Sequence, residues 1–215
     1  MTAPTIEILT IASAGHHPGL DRLKRSADRH GWPLTVITAT WRGWGTKVHA
    51  VADHARQSEA DIIFYIDGYD SIFIRQYPGN IWITSTDYGY LSAEKNCWPD
   101  ASLAPQYPSD YQSPWRFVNA GQWTMPRKTF LRMVKEHPIR FSDDDQLWHT
   151  HRFLSNEYNL SLDSGCEIFQ SVAFHTPGEF GEQDGQFVNL VTGTRPFVLH
   201  GNGGTDMTAY EKYGA

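Results

Sequence analysis

The first third of the chain alternates between two hydrophobic periods. Residues 6–12 (IEILTIA) form a short apolar run rich in β-branched side chains, which reads as a buried strand. Residues 19–30 place Leu20, Leu23 and Ala27 at helical spacing between charges, and Gly31 stops that helix. A second strand follows at 34–38, a second helix at 48–56 and a third strand at 61–66. Strand, helix, strand, helix, strand at this spacing predicts parallel strands joined by right-handed crossovers. Ligands of such sheets bind beyond the carboxyl ends of the strands, which is where residues 67–70 fall.

The remainder is less regular. Strands are expected at 88–93, 116–125, 160–162, 168–172, 187–191 and 197–199. A helix is expected over 126–136 with Pro126 in its first turn, and another over 143–154, whose acidic start suits the helix dipole. Residues 97–114 are rich in Pro, Asp, Ser and Tyr and read as a long loop of the kind that lids an active site. With no repeat, low-complexity tract or linker, one domain over residues 1–215 is expected.

Composition narrows the class. Hydrophobic residues at 40% and charged residues at 20% describe a globular chain, and 215 residues can bury a full core without staples. Eight Trp are more than usual and read either as a Trp-rich core or, for some, as the lining of a groove for sugars or bases, whose flat faces stack on indole. The net charge of -6 gives no footprint for non-specific nucleic-acid binding. Cys97 and Cys166 are too few for a disulfide framework, so reduced thiols are expected. The N-terminus lacks a basic segment and its apolar run breaks early, which argues against a signal peptide or membrane anchor. A cytoplasmic protein of bacterial or viral origin, with no membrane contact, is the expectation.

Four stretches carry chemistry. YIDGYDSI (65–72) sets Asp67 and Asp70 after a buried strand; hard divalent cations take such oxygen ligands and bridge them to phosphates, although Asp and Gly also make plain turns. VLHGNGGT (198–205) places His200 before Gly201, Asn202 and Gly203; imidazole is a metal ligand and glycines let backbone N–H groups approach a phosphate, but the same run also reads as a surface turn. DDDQ (143–146) offers Asp144, Asp145 and Gln146 at a helix start, either as a dipole effect or as the carboxylate that accepts a proton from an attacking hydroxyl. SAEKNCWPD (92–100) sets Glu94 at a strand end and Trp98 at the mouth of the long loop.

Taken together, these stretches resemble the glycosyltransferase domain found at the N-terminus of procollagen-lysine hydroxylases. The likeness is ordered along nearly the whole chain: LKRSADRHGW (23–32), WRGWGTK (41–47), YIDGYD, LSAEKNCWPDASLAPQYP (91–108), RFVNAG (116–121), DDDQLWHTHRFL (143–154), LSLDSGCEIFQS (160–171) and VLHGNGGT. Eight blocks in one order are far more specific than any one of them. The resemblance implies an α/β GT-A-type (Rossmann-like) fold with a mainly parallel sheet, a nucleotide-binding half at 1–70 and an acceptor- and sugar-binding half at 71–215 ending in a metal-binding loop. It implies a manganese ion, with magnesium as the alternative, on Asp67, Asp70 and His200, and a UDP-sugar donor. Tyr69 corresponds to an aromatic against the nucleotide, Lys47 to the donor-side loop and Asn119 to the sugar pocket. Gly201, Asn202 and Gly203 fall on the donor, Trp98 on the loop that closes over it, and Glu94, Asp144, Asp145 and Gln146 on the reacting centre.

Departures from the pattern matter too. The family's LNSGG is VNAGQ here, so Ala120 and Gln122 change the sugar pocket. The family's Pro and basic residue after HGNG are absent, so a phosphate contact is either lost or supplied by Arg195 or Lys212. No iron site of the hydroxylase type is visible, so collagen is not the expected acceptor. The acceptor hydroxyl then belongs to a hydroxylated peptide side chain, a hydroxymethylated DNA base, or a glycan or small metabolite. A cluster of Arg116, Arg127, Lys128 and Arg132 would favour DNA. The alternative to an enzyme is a non-catalytic nucleotide-sugar or glycan-binding module of the same fold.

Overall fold

A computed structural model describes residues 3–13, 15–79 and 87–214. The alternating first third folds as its pattern dictates: β1 (Ile6–Ala12), α1 (Pro18–Arg29), β2 (Leu34–Thr38), α2 (Gly45–Gln57) and β3 (Ile62–Ile66). β1 pairs in parallel with β2 on one side and β3 on the other. Gly31 stops α1 in the left-handed region (φ 69°), where glycine is unstrained. After β3 come β4 (Ser71–Phe73), β5 (Gly89–Glu94), β6 (Phe117–Pro126), α3 (Arg127–Glu136), α4 (Asp145–Leu154), β7 (Leu160–Asp163), β8 (Phe169–Ser171), β9 (Phe180–Gln183), β10 (Gln186–Asn189), β11 (Val198–His200) and α5 (Glu211–Gly214).

Six strands make the central sheet in the order β2-β1-β3-β6-β5-β7. β6 runs antiparallel to β3 and to β5, while β5 and β7 are parallel, so five of the six strands share a direction. The reversal of β6 places its first residues beyond the carboxyl end of β3: Ile66 lies opposite Gln122, and Asn119 to Gly121 continue past it. A register shift between Leu91 and Ser92 re-aims the end of β5 at the same edge.

The period of two along β3 separates the two cores. Ile63 and Tyr65 face the apolar side of α2 and α3, packing with Val48, Val51, Trp123 and Phe130. Ile62, Phe64 and Ile66 face α1 and the smaller sheet, packing with Leu23, Ala27, Phe73, Phe169 and Val198. That smaller sheet has the order β4-β11-β8, with β11 antiparallel to β4 and parallel to β8. β9 and β10 form an antiparallel hairpin.

Some boundaries differ from expectation. α2 starts at Gly45, where the backbone lies against Arg140 and leaves no room for a side chain. Pro126 is the last residue of β6, and α3 begins at Arg127. The loop at 97–114 holds a short 3-10 helix (Ala101–Gln106), capped by Asp100 Oδ1 accepting from the Ser102 N–H at 2.9 Å. Strand β10 ends at Asn189, leaving Leu190 and Val191 in a half-exposed turn. No helix among the described residues is long and apolar enough to cross a membrane.

Candidate metal centre and its cleft

Three segments deliver the candidate ligands to one point. Asp67 follows β3, and its N–H donates to the Gly121 carbonyl of β6 at 2.7 Å. Asp70 sits one residue before β4, and its carbonyl accepts from Gly201 N–H at 2.7 Å. His200 ends β11. Ligand atoms of Asp67, Asp70 and His200 lie within 4.8 Å of one another. His200 Nε2 is 3.3 Å from Asp70 Oδ2 and 3.7 Å from Asp67 Oδ2.

The surroundings fix these side chains. Asn119 Oδ1 lies 3.0 Å from His200 Nδ1 and also accepts from Gly121 N–H. With an amide oxygen at Nδ1, that nitrogen donates its own N–H, and Nε2 is left facing the carboxylates, where it holds either a proton shared with them or a metal ion. Tyr65 donates to Asp67 Oδ1 at 2.6 Å. Gly121 is required: a Cβ there would overlap the His200 ring and crowd Asp67 Oδ2 at 2.8 Å. Gly19 is required likewise, since a side chain would overlap the Tyr69 carbonyl; the close approach lets Arg22 Nη2 donate to that carbonyl at 2.9 Å and brace the loop.

Charge is compensated through Lys47. Its ammonium lies 3.1 Å from both Asp67 oxygens and 2.8 Å from Asp145 Oδ2. Burial pushes Lys47 down, but Asp67 and Asp145 outweigh it and hold it above its ordinary value. Burial raises the Asp145 carboxyl, with Lys47 opposing. Burial opposes the charge of His200, and Asp70 and Asp67 nevertheless raise it. For Asp70, burial raises and the His200 ring lowers, with the net direction down. Two carboxylates and an imidazole lone pair on fixed backbone suit a hard or borderline divalent cation, which would take the place of the His200 proton.

Deeper in the cleft Glu94 is nearly fully buried without a cation. Its oxygens accept from Asn119 Nδ2 (3.2 Å), Gln146 Nε2 (2.6 Å) and Asn202 Nδ2 (2.9 Å). Burial raises its carboxyl, and the amide hydrogen bonds pull the other way. Gln146 Nε2 also donates to the Trp98 carbonyl at 3.0 Å, tying the loop to α4. Asp144 caps α4 with Oδ1, which accepts from Leu147 N–H at 2.8 Å.

These residues line one cleft of about 600 Å³: Lys47, Asp67, Asp70, Glu94, Trp98, Asn119, Asp144, Asp145, Gln146, His200, Asn202 and Gly203. A neighbouring hollow of about 330 Å³ shares Trp44, Lys47, Asp67 and Asp70 with it and adds Ser13, Trp41 and Tyr69. Tyr69 packs against His17 with the rings tilted and their centroids 4.1 Å apart, and its hydroxyl accepts from Ser13 N–H at 2.8 Å. Thus the fold gathers the expected ligands, Lys47, Glu94, Asn119, Asp144, Asp145 and Gln146. Gly201 stands apart: it lies against Met207 and ties the loop to Asp70 rather than facing the cleft.

Other expectations are corrected. Arg195 donates to Gln186 Oε1 at 3.1 Å and Lys212 to Glu182 Oε2 at 2.7 Å, so both serve the β9–β10 hairpin and neither lines the cleft. Arg116 precedes β6 and Arg127 follows it, ends of a ten-residue strand that is roughly 30 Å long. Arg127 is bonded to the Ala55 and Ala60 carbonyls and Arg132 to that of Glu157, so these residues form no basic cluster at the cleft. The sequence reading overlooked Tyr65, Gly121 and Trp44. Tyr65 had a signal: two residues before Asp67 on a strand, it shares that residue's face.

Comparison with known proteins agrees with this geometry. A family model described as the PLOD GT domain matches residues 2–213. The multifunctional procollagen lysine hydroxylase and glycosyltransferase of Caenorhabditis elegans is 29% identical over 226 residues, covering 93% of this chain and 30% of that protein. This chain therefore spans about 30% of the length of that relative. A glycosyltransferase involved in glycosylation of the major capsid of PBCV-1 superposes with a TM-score of 0.58 at 10% identity, covering 98% of this chain and 99% of that one. The galactosyltransferase LgtC, solved with donor and acceptor sugar analogs, superposes with a TM-score of 0.52 at 12% identity, covering 92% and 87%. Both likenesses show the GT-A-type fold.

Proposed function

The chain belongs to the PLOD GT domain family, and from that premise we propose that it is a divalent-metal-dependent glycosyltransferase moving a sugar from a UDP-sugar to an acceptor hydroxyl. The observation that carries this reading is the convergence of Asp67, Asp70 and His200 beside a cleft with room for a donor and an acceptor. We take the cation as manganese, or magnesium in its place; held there, it supplies Lewis-acid neutralisation of a diphosphate. Residues 1–70 supply most of the nucleotide side and 71–215 most of the sugar and acceptor side.

The protein's own residues do the rest. Trp41, Trp44 and Tyr69 offer flat faces to the base at the mouth of the donor hollow. Lys47 adds positive charge next to the diphosphate. Gly203 lines the phosphate side of the cleft, and Glu94 presents Oε2 to the hydroxyls of the transferred sugar while Asn119, bonded to His200 and to Glu94, shapes the sugar pocket. Gln146 holds the Trp98 loop, which closes over the donor and limits hydrolysis by water. In transfer, the acceptor oxygen bonds to the anomeric carbon. The bond from that carbon to the β-phosphate oxygen breaks, and UDP leaves with the electron pair. The Asp144–Asp145 pair takes the acceptor proton. Burial raises the Asp145 carboxyl, which suits it to accept that proton, while Lys47 beside it favours its ionised form.

The test is release of UDP from UDP-sugars with and without manganese. Asp67→Ala and His200→Ala are each expected to reduce metal-dependent release by more than about a thousandfold, since electrostatic stabilisers of a leaving group supply several kcal/mol. Full activity in either variant removes the metal-dependent reading.

A further inference from the structure

Helix α1 carries a charged face that the chemistry above does not use. Arg22, Arg25 and Arg29 recur at i, i+3 and i+7, which sets all three on one face, beside the stripe of Leu20, Leu23 and Ala27 that α1 buries. α5 packs beside that face, with Arg22 Nη1 3.3 Å from Glu211 Oε1. A side chain on Gly214 would overlap Ile72 of β4, so the glycine lets the end of α5 close on the smaller sheet. The result is a hollow of about 370 Å³ lined by the three arginines, Ile72, Glu211 and Gly214. None of these six residues lines the metal cleft or the donor hollow.

Positive charge is in excess there. Glu211 is the one carboxylate in the lining, and it is paired with Arg22. Arg22 is also committed on its other side, where Nη2 donates to the Tyr69 carbonyl at 2.9 Å. Asp21, the acid in the first turn of α1, is turned to His16 at 3.1 Å. Arg25 and Arg29 are exposed, and among the described residues neither guanidinium has an ion pair or a hydrogen bond. Like charges at i and i+4 weaken a helix, so folding does not reward this pair.

The chemistry of the lining narrows what fills the hollow. A guanidinium is planar, always charged and matches two phosphate oxygens at once. Two such forks one helical turn apart, about 6 Å along the axis, suit linked phosphate groups better than a single one. The volume is that of a small-molecule site, and no aromatic ring lines it to stack on a base. The three arginines span roughly 10 Å of helix, a short track for a nucleic-acid strand.

We propose that the hollow between α1 and α5 is an anion site separate from the metal centre, taking a small molecule with two or more linked phosphate groups on Arg25 and Arg29, with Arg22 at its inner wall. The site is independent of the transferase reading.

The test is calorimetric titration of the full chain at low salt with tripolyphosphate, pyrophosphate, inorganic phosphate, UDP and a short single-stranded DNA. Metal-free buffer is used, because the cleft is lined by five carboxylates and without a cation repels a diphosphate. Tripolyphosphate is expected to bind as one equivalent, at least about tenfold tighter than inorganic phosphate, with UDP no tighter than pyrophosphate. Arg25→Ser combined with Arg29→Ser is expected to weaken tripolyphosphate at least about tenfold, and each alone about threefold. Lys128→Ser combined with Lys135→Ser removes the same charge from α3 and is expected to change it less than about twofold. The α1 double variant is expected to melt within about 2 °C of the wild type, as its arginines hold nothing in place. The proposal is overturned by no tripolyphosphate binding, by unchanged binding in the α1 variants, by an equal loss in the α3 variant, or by tighter binding of UDP or DNA. Tripolyphosphate binding that depends on Arg25 and Arg29 in a protein that releases no UDP supports the site and sinks only the transferase reading.

Discussion

Asp145 and Glu94 open onto the same cleft, but a cation holds the first and three amides hold the second. At the Asp145 end Lys47 bridges two carboxylates, and the candidate metal ligands Asp67, Asp70 and His200 lie alongside. At the Glu94 end the direct partners are amide dipoles, and the only charge that adds to them among the described residues is the more distant His200 ring. In both places burial raises the carboxyl, so desolvation is shared and the partners differ. A site that handles a leaving diphosphate must move charge, and ion pairs that exchange partners suit that task. A site that reads sugar hydroxyls needs fixed acceptors and no mobile cation, and an amide-held carboxylate suits that one.

The sharpest way to break the comparison is to remove the cation. Lys47→Met leaves Asp145 without its cation in a mostly buried site, with Asp67 keeping only Tyr65 and His200, and breaking such a pair costs about 3–5 kcal/mol. A drop in melting temperature of roughly 6–15 °C, read without added metal, is expected. A change of only a degree or two would mean that the carboxylates are effectively solvated.

Next in size is a pH effect beneath the same end. His149 is fully buried, its Nδ1 2.9 Å from the Asp145 carbonyl, and burial lowers it to about 4 from 6.5. The unfolded chain binds this proton at higher pH than the folded one. The stabilisation is therefore complete above pH 6.5 and is lost as pH falls toward about 4. The loss is expected to reach about 3 kcal/mol at the lower end. Urea titrations at stepped pH check this, and His149→Phe should flatten the acid limb.

The smallest effect is expected at the dipole end. Glu94→Gln leaves one of three amide donors facing another N–H group but removes a buried charge, so a net loss of about 1 kcal/mol is expected at neutral pH. The folded Glu94 carboxyl is raised, so the stability it allows is full below its ordinary 4.5 and declines as pH rises through its folded value. The cost of Glu94→Gln should accordingly shrink as pH rises. If instead it matches Lys47→Met, the two ends do not differ as described.

How much of this was legible follows from physical range. The crossovers of the first third were readable because period and turn residues are local signals, and Asp67 followed from them. His200 and Asp70 meet only because β11 pairs with β4, a contact between segments far apart in sequence, and β4 is too short to announce itself. The reversal of β6 had no local signal either, yet it sets Asn119 behind His200 and requires Gly121. The ordered family blocks carried the long-range part of the reading. Where they departed from the family, the sequence left open whether a phosphate contact is lost or supplied by Arg195 or Lys212, and the pairing of both side chains with the hairpin, visible only in three dimensions, leaves the first alternative. Arg25 and Arg29 fall inside a family block, yet the hollow they line exists only where α5 meets α1.

The most direct measurement is anomalous diffraction from crystals of the protein grown with manganese and UDP. A single strong peak touching the Asp67, Asp70 and His200 side chains, with the diphosphate against it, is the predicted result. A bound UDP whose diphosphate lies away from these three residues, or manganese held elsewhere, would contradict the account.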